Sequence, residues 1–298
     1  MKIKKITSFL IFVIFSFEIY SKDINKVTYA SWDKPDVELL YALPEVVNEN
    51  TKVLFIIHGS SRDAERYLNA WLADIKNKNV ILVAPHFTKE NYSNYATLQM
   101  STSSGRLLKN QSNHLKNSIS SFYSFFKSKY NLDSPTYRIF GFSGGSQFIH
   151  RYLMYGEDQN IEKAAIGSAG WYTFLNSEPF PYGTRNMPID RERYEWFLSR
   201  QVLFVLGGKD DNPNHSTLNS SKGARKQGDH RLERGQNYFK NLVAFGEEFQ
   251  IPFRWRYKVV SNLGHNTEAM TKNAIPFLLE GLDLSLIHIS EPTRPSVI

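Results

Sequence analysis

The sequence predicts an α/β fold in which a mostly parallel central sheet carries helices on both faces. Three observations lead there. Short apolar runs bounded by turn residues recur along the chain, amphipathic stretches lie between them, and no internal repeat or Pro/Gly/Ser-rich linker divides the 298 residues. Unbroken apolar runs are the mark of strands covered on both faces, and their alternation with helices implies crossover connections over a parallel sheet. A chain of this length is ordinary for a single α/β domain.

In chain order, residues 26–43, with Pro35 and apolar alternation over 37–41, read as an antiparallel hairpin at one sheet edge. The runs 53–57, 80–84, 137–140, 164–166, 202–206 and 255–260 read as buried strands. Residues 64–76 set Tyr67, Leu68, Trp71, Leu72 and Ile75 near helical spacing, and 115–130 do the same with Leu115, Ile119, Phe122, Phe125 and Phe126. Stretches 147–155, 231–249 and 267–279 complete the helices, with Pro276 expected to kink or end the last. Residues 169–187, AGWYTFLNSEPFPYGTRNM, follow neither period and read as an ordered loop walling a pocket. Its rings Trp171, Tyr172, Phe174, Phe180 and Tyr182 are the candidate walls.

Composition narrows the class. With 41% hydrophobic and 22% charged residues the chain is globular in type, not disordered or multi-spanning. Lys2, Lys4 and Lys5, an apolar run over 6–17 and Tyr20-Ser21-Lys22 read as a signal peptide, residues 1–21, cut near Ser21. The run is shorter than the roughly 20 residues of a spanning helix, so the expectation is a secreted or periplasmic protein with no stable membrane anchor after cleavage. The absence of cysteine excludes disulfides, thiol nucleophiles and thiolate metal sites. The net charge of +7 becomes +5 when three lysines and Glu18 leave with the leader. Lys222, Arg225, Lys226, Arg231 and Arg234 form the densest basic stretch and read as a solvated face; no nucleic-acid partner is expected. Residues 284–294, LSLIHISEPTR, resemble the translation of a transposase adaptor used in sequencing libraries. The domain is therefore placed at 22–283 and residues 284–298 are read as a tail that is not native, which removes His288 and Glu291 from every site argument.

The strongest chemical signal is Gly141-Phe142-Ser143-Gly144-Gly145, between an expected strand and an expected helix. In a nucleophile elbow the serine sits on a strained strand-to-helix turn, and small residues two positions to either side let the backbone bend. His58-Gly59-Ser60 follows the strand 53–57, where α/β-hydrolases place one backbone donor of the oxyanion hole. The donors would be the N–H of Ser60, or else of Ser61, and the N–H of Gly144. His58 alone reads as a core histidine in a turn, but beside the elbow it is assigned to the substrate-binding side of the site, with Trp171 and Tyr172. Asp210 follows strand 202–206 in GGKDD, and His265 follows strand 255–260 in LGH. Both fall at carboxyl ends of strands, where sites of open α/β sheets assemble. Ser143, Asp210, His265 is also the serine, acid, histidine chain order of the α/β-hydrolase fold.

The stretches HGSSRDAERYLNAW, GFSGGSQFIHRYLMYG, AGWYTF with FPYG, QGDHRLERGQNYF, and IPFRWRYKVV with LGH resemble a bacterial group of α/β-hydrolases related to polyhydroxybutyrate depolymerases and feruloyl esterases. The resemblance runs over nearly all of 53–279 and departs at the polar, irregular segment 92–113. It implies esterase-like chemistry on Ser143, Asp210 and His265, with a small-molecule or polymeric ester as substrate. No cofactor or metal is required by that chemistry. The chain has no H-E-x-x-H, and His215 and His230 have no recognised ligand spacing with Asp211 and Asp229. Asp210-Asp211 and Glu247-Glu248 are sequence neighbours, not carboxylates facing across a sugar. Two alternatives share the fold: acyl transfer from the same acyl-serine, and a binding protein without catalysis.

Overall fold

The computed structural model describes residues 23–284. The expected leader and the tail beyond Leu284 lie outside the described residues. Chain order is β1 (Asn25–Tyr29), β2 (Val37–Ala42), β3 (Lys52–Ile57), α1 (Ala64–Leu72), β4 (Val80–His86), α2 (Ser118–Tyr130), β5 (Tyr137–Phe142), α3 (Gly144–Tyr155), β6 (Ile161–Gly167), α4 (Arg191–Ser199), β7 (Gln201–Gly207), α5 (Lys222–Arg225), α6 (Arg231–Glu248), β8 (Arg256–Val260) and α7 (Thr267–Leu278). The strands form one sheet ordered β1-β2-β4-β3-β5-β6-β7-β8. Strands β3 to β8 run parallel, and β1 and β2 pair antiparallel at one edge, as the reading of 26–43 predicts. This is the α/β-hydrolase fold.

The period of two along a strand divides the core into two layers. Val53, Phe55 and Ile57 of β3 pack with Phe122, Phe148 and Tyr238 from α2, α3 and α6. Leu54 and Ile56 pack on the opposite face with Leu68 and Trp71 of α1 and Met270 and Leu278 of α7. Every residue from Val53 to Ile57 has lost all exposed surface, which is why the run reads as continuously apolar.

Three expectations change. The run 255–260 is not a buried strand: β8 is the sheet edge, with Tyr257 and Val259 exposed. Trp255 precedes it and packs inward, its indole N–H donating to the Phe197 carbonyl at 3.0 Å. Helix α4 occupies a stretch to which the sequence pattern assigns no element, capped by the Asp190 side chain accepting from the Arg193 N–H at 2.8 Å. Its buried residues Trp196, Phe197 and Leu198 are consecutive, so no helical period is visible. The basic stretch is not a uniformly solvated face either, because Arg231 and Arg234 are each 1% exposed.

Topology brings the site together. The chain steps from β3 outward to β4, then crosses back to lay β5 on the other side of β3. The carboxyl ends of β3 and β5 therefore flank the point where strand order reverses, where open α/β sheets bind ligands.

Candidate active site

Ser143 stands between β5 and α3 at φ 56° and ψ −115°. A positive φ on a non-glycine residue is strained and persists only where the surroundings enforce it. Here the Ser143 N–H donates to the Gly167 carbonyl at 2.9 Å, tying the turn to the end of β6. The flanking glycines are obligatory by contact. A Cβ on Gly141 would lie 2.5 Å from the Gly145 carbonyl carbon, and one on Gly145 would lie 2.0 Å from the Ile57 oxygen. Strand, turn and helix are thus pressed together around a serine that is 9% exposed.

His265 and Asp210 come from loops after β8 and β7. Those loops are sutured by backbone bonds, Gly208 N–H to Val260 O at 2.9 Å and Lys209 N–H to Leu263 O at 2.8 Å. His265 Nε2 lies 3.0 Å from Ser143 Oγ, and His265 Nδ1 lies 2.7 Å from Asp210 Oδ2. A carboxylate only accepts, so Nδ1 carries the proton and Nε2 is free to accept the serine O–H. Asp211, the next residue, is exposed.

The second oxygen of Asp210 faces Arg231 at 3.3 Å, and both side chains are almost fully buried. Arg231 opens α6, and its other arm donates to Thr217 Oγ1 at 2.7 Å. Burial pushes the Asp210 carboxyl up, but the bond and charge of His265, the Arg231 guanidinium and the Ser168 hydroxyl together hold it below its ordinary value. Burial also lowers His265; Asp210 opposes that shift, while Arg231 and His215 add to it. The ring stays neutral, and able to accept a proton, to lower pH than a free histidine.

The loop after β3 meets the start of α3 at close range: a Cβ on Gly144 would sit 2.9 Å from Ser60 N. The Ser60 N–H has no protein acceptor among the described residues. Gly144 N–H belongs to the first helical turn, which lacks intrahelical acceptors. Two donors beside Ser143, with the helix dipole behind them, form a place for negative charge. Tyr95 closes the rear, its hydroxyl donating to the His58 carbonyl at 2.8 Å. The Arg62 guanidinium lies 4.0 Å above the Tyr95 ring and binds the carbonyls of Phe87, Tyr92 and Ser93.

The residues assigned to substrate fare differently. His58 has no exposed surface; its Nε2 accepts from the Phe87 N–H at 3.1 Å and its Nδ1 donates to the Gly59 carbonyl at 2.9 Å. Burial pushes it down to about 3. It is a neutral strut for the loop, with no edge to offer a ligand. Tyr172 is likewise a core residue, stacked on Tyr238 with ring centres 4.5 Å apart, its hydroxyl accepting from the Ala169 N–H at 3.1 Å. Trp171 is 3% exposed beneath the Arg151 guanidinium, which lies 4.1 Å from its ring. Within the loop, Phe174 and Tyr182 keep partly exposed rings, and both line a depression of about 390 Å³.

Sequence reasoning missed Arg231, which looks like any surface arginine of a helix start, and His215, whose ring centre lies 5.5 Å from that of His265. It also missed Arg234, which ties the loops over the site by donating to the carbonyls of Gly170 and Asn219 at 2.6 and 2.9 Å. Among the described residues no group of three or more His, Cys, Asp or Glu side chains is placed to hold a metal ion.

No family model matches the sequence, and no curated protein matches it. Solved structures do. Poly(aspartic acid) hydrolase-1 from Sphingomonas sp. KT-1 is similar with a TM-score of 0.80 at 26% identity, over 86% of this chain and 98% of its own. A poly(3-hydroxybutyrate) depolymerase from Bordetella parapertussis is similar with a TM-score of 0.79 at 21% identity, over 87% of this chain and 90% of its own. A ferulic acid esterase follows with a TM-score of 0.53 at 13% identity, over 86% of this chain and 97% of its own. The chain shares the α/β-hydrolase fold of these solved structures.

Proposed function

We propose that the chain is a serine hydrolase that cleaves carboxylic esters through an acyl-serine intermediate. The observation that carries this reading is the continuous relay from Ser143 Oγ through His265 to Asp210, at 3.0 and 2.7 Å, on a strained elbow. A serine hydroxyl is a weak nucleophile at neutral pH. His265 removes its proton as Ser143 attacks the ester carbonyl, and returns that proton to the departing alcohol. Asp210 holds the imidazole in the required tautomer and stabilises the imidazolium. The N–H groups of Ser60 and Gly144 bind the oxyanion, each such donor contributing roughly 3 to 4 kcal/mol to the transition state. Water then enters on the side the alcohol left and His265 repeats its role in reverse. The activities of the similar structures, a polymer hydrolase, a polyester depolymerase and an esterase, support hydrolysis of acyl bonds. The basic, apolar leader supports secretion or delivery to the periplasm.

The test is Ser143→Ala, assayed on a panel of short- and long-chain esters, feruloyl esters and polyester film. Turnover should fall by several orders of magnitude with the melting temperature nearly unchanged, because the elbow hydroxyl contributes little to the core. Appreciable ester cleavage by the purified variant would remove the reading.

A further inference from the structure

A tyrosine hydroxyl stands at the seam between the two backbone stretches that border Ser143, the loop after β3 and the head of α3. Tyr95 is 2% exposed and belongs to the segment 92–113, where the family resemblance departs. Its hydroxyl donates to the His58 carbonyl at 2.8 Å. The same oxygen fills the space that a Cβ on Gly144 would need, a point that the Ser60 nitrogen and the Gly59 carbonyl carbon crowd at 2.9 and 3.2 Å. Gly144 is bare because a phenol and a peptide lie against it.

A trans peptide is planar, so fixing one of its ends fixes the other. Tyr95 holds the carbonyl of the peptide that joins His58 to Gly59. The next carbonyl, that of Gly59, accepts from His58 Nδ1 at 2.9 Å and from the Arg62 N–H at 3.1 Å. The Ser60 N–H lies in this second peptide and points opposite to its carbonyl. Its direction is thus set by two consecutive peptide planes, the first of them anchored on Tyr95. Tyr95 is itself held: its ring lies 4.0 Å below the Arg62 guanidinium and stacks at 24° on Phe148 of α3. Arg62 belongs to the loop that carries Ser60 and binds the carbonyls of Phe87, Tyr92 and Ser93. The two loops therefore grip one another through one guanidinium and one phenol. Burial pushes the phenol's ionisation well up, which keeps it a donor.

Resting on the serine-hydrolase reading, we propose that Tyr95 is a positioning residue of the oxyanion hole, whose hydroxyl sets the spacing and direction of the backbone N–H groups of Ser60 and Gly144 by bracing the His58 carbonyl against Gly144. Sealed behind these backbone stretches, it acts through them and not on substrate. Its loss should weaken binding of the transition state and leave binding of the ground state unchanged.

Tyr95→Phe tests this, because it keeps the ring under Arg62 and against Phe148 and deletes the hydroxyl alone. On 4-nitrophenyl butanoate kcat should fall roughly tenfold, less than the roughly 10² to 10³ that loss of a whole oxyanion donor costs. Both tetrahedral intermediates use the same pocket, so KM should stay within about twofold. Hexyl trifluoromethyl ketone gives a second readout: Ser143 Oγ adds to its carbonyl carbon, the serine proton passes to His265, and the charge stays on the former carbonyl oxygen. Its inhibition constant should rise by about the same tenfold. Tyr123→Phe is the control, since that buried hydroxyl also donates to a carbonyl, of Ser134, ahead of the amino end of β5. It should melt lower yet keep kcat within about twofold. Unchanged kcat and inhibition constant in Tyr95→Phe, a rise in KM alone, or an equal loss of kcat in Tyr123→Phe would overturn the proposal. Labelling of Ser143 by an organophosphate separates the two readings. Wild-type protein that fails to label sinks the serine mechanism itself, whereas wild-type labelling beside any of those three results sinks only the role of Tyr95.

Discussion

Asp210 does two jobs with its two oxygens, orienting His265 with one and neutralising Arg231 with the other. Asn in its place would favour the wrong imidazole tautomer, a loss on the order of 10⁴ in turnover in a serine-protease triad. It would also leave a buried guanidinium without its counter-charge, and breaking a buried pair from one side costs about 3 to 5 kcal/mol. Asp210→Asn should therefore lose both turnover and melting temperature, while Asp211→Asn, at an exposed position, should change stability by no more than about 0.5 kcal/mol. Kinetics at a temperature where both variants are folded, beside thermal melts, check this. A reversed order of effects would move the acid by one residue. Under the proposed mechanism the pH profile would be set by His265, whose ordinary value of 6.5 is lowered by burial and by the positive neighbours Arg231 and His215 against the pull of Asp210. Only the neutral ring accepts the serine proton, so the acid limb of kcat/KM should be centred below pH 6.5. Stability follows the same sign. Between the lowered folded value and 6.5 the unfolded chain binds a proton that the folded chain does not, so stability falls as pH drops through that window. A limb centred above 6.5, or none down to about pH 4, would count against a histidine base.

The elements show what a one-dimensional pattern carries. Strand β3, buried on both faces, and helix α3, opening straight from the elbow, were legible because burial and turn geometry leave local marks: an apolar run, and glycines two residues either side of Ser143. Edge position left a mark that the reading of 255–260 passed over. Strand β8 is spelled RYKVV, and the charges of Arg256 and Lys258 suit a strand whose one side has no neighbour. Helix α4 was hidden for a different reason, since it buries one patch of three successive residues instead of a stripe. The meeting of Ser143, Asp210 and His265 was readable from chain order because each of the three follows a strand end. His58, Tyr172, Arg231 and His215 were not, because their roles depend on contacts across 29, 66, 21 and 50 residues of chain: on Phe87, Tyr238, Asp210 and His265. A histidine sealed by a remote N–H and a histidine facing substrate look alike in one dimension.

At the scale of the whole molecule the last described residues close the sheet's lower end. The Asn79 N–H donates to the Leu282 carbonyl at 2.7 Å, and the Leu284 N–H donates to the Asn77 carbonyl at 2.9 Å. Leu282 is 5% exposed, packed in the layer that holds α1 and α7. The domain boundary expected at about 283 thus falls where the chain is still bonded to the fold, and Leu284 marks a more conservative cut. A tail encoded by an adaptor, as the reading of 284–294 expects, would have no history of selection for packing against this domain. Removing residues 285–298 should accordingly leave both melting temperature and ester turnover unchanged. Removing three residues more, from Leu282 onward, deletes a buried leucine and three backbone bonds. Loss of a buried leucine side chain alone costs about 2 to 5 kcal/mol, so that truncation should melt well below the full chain. The pair of truncations, compared by thermal melts and turnover on one ester, decides the matter: a lower melting temperature in the shorter cut at 285 would show that the tail is part of the fold.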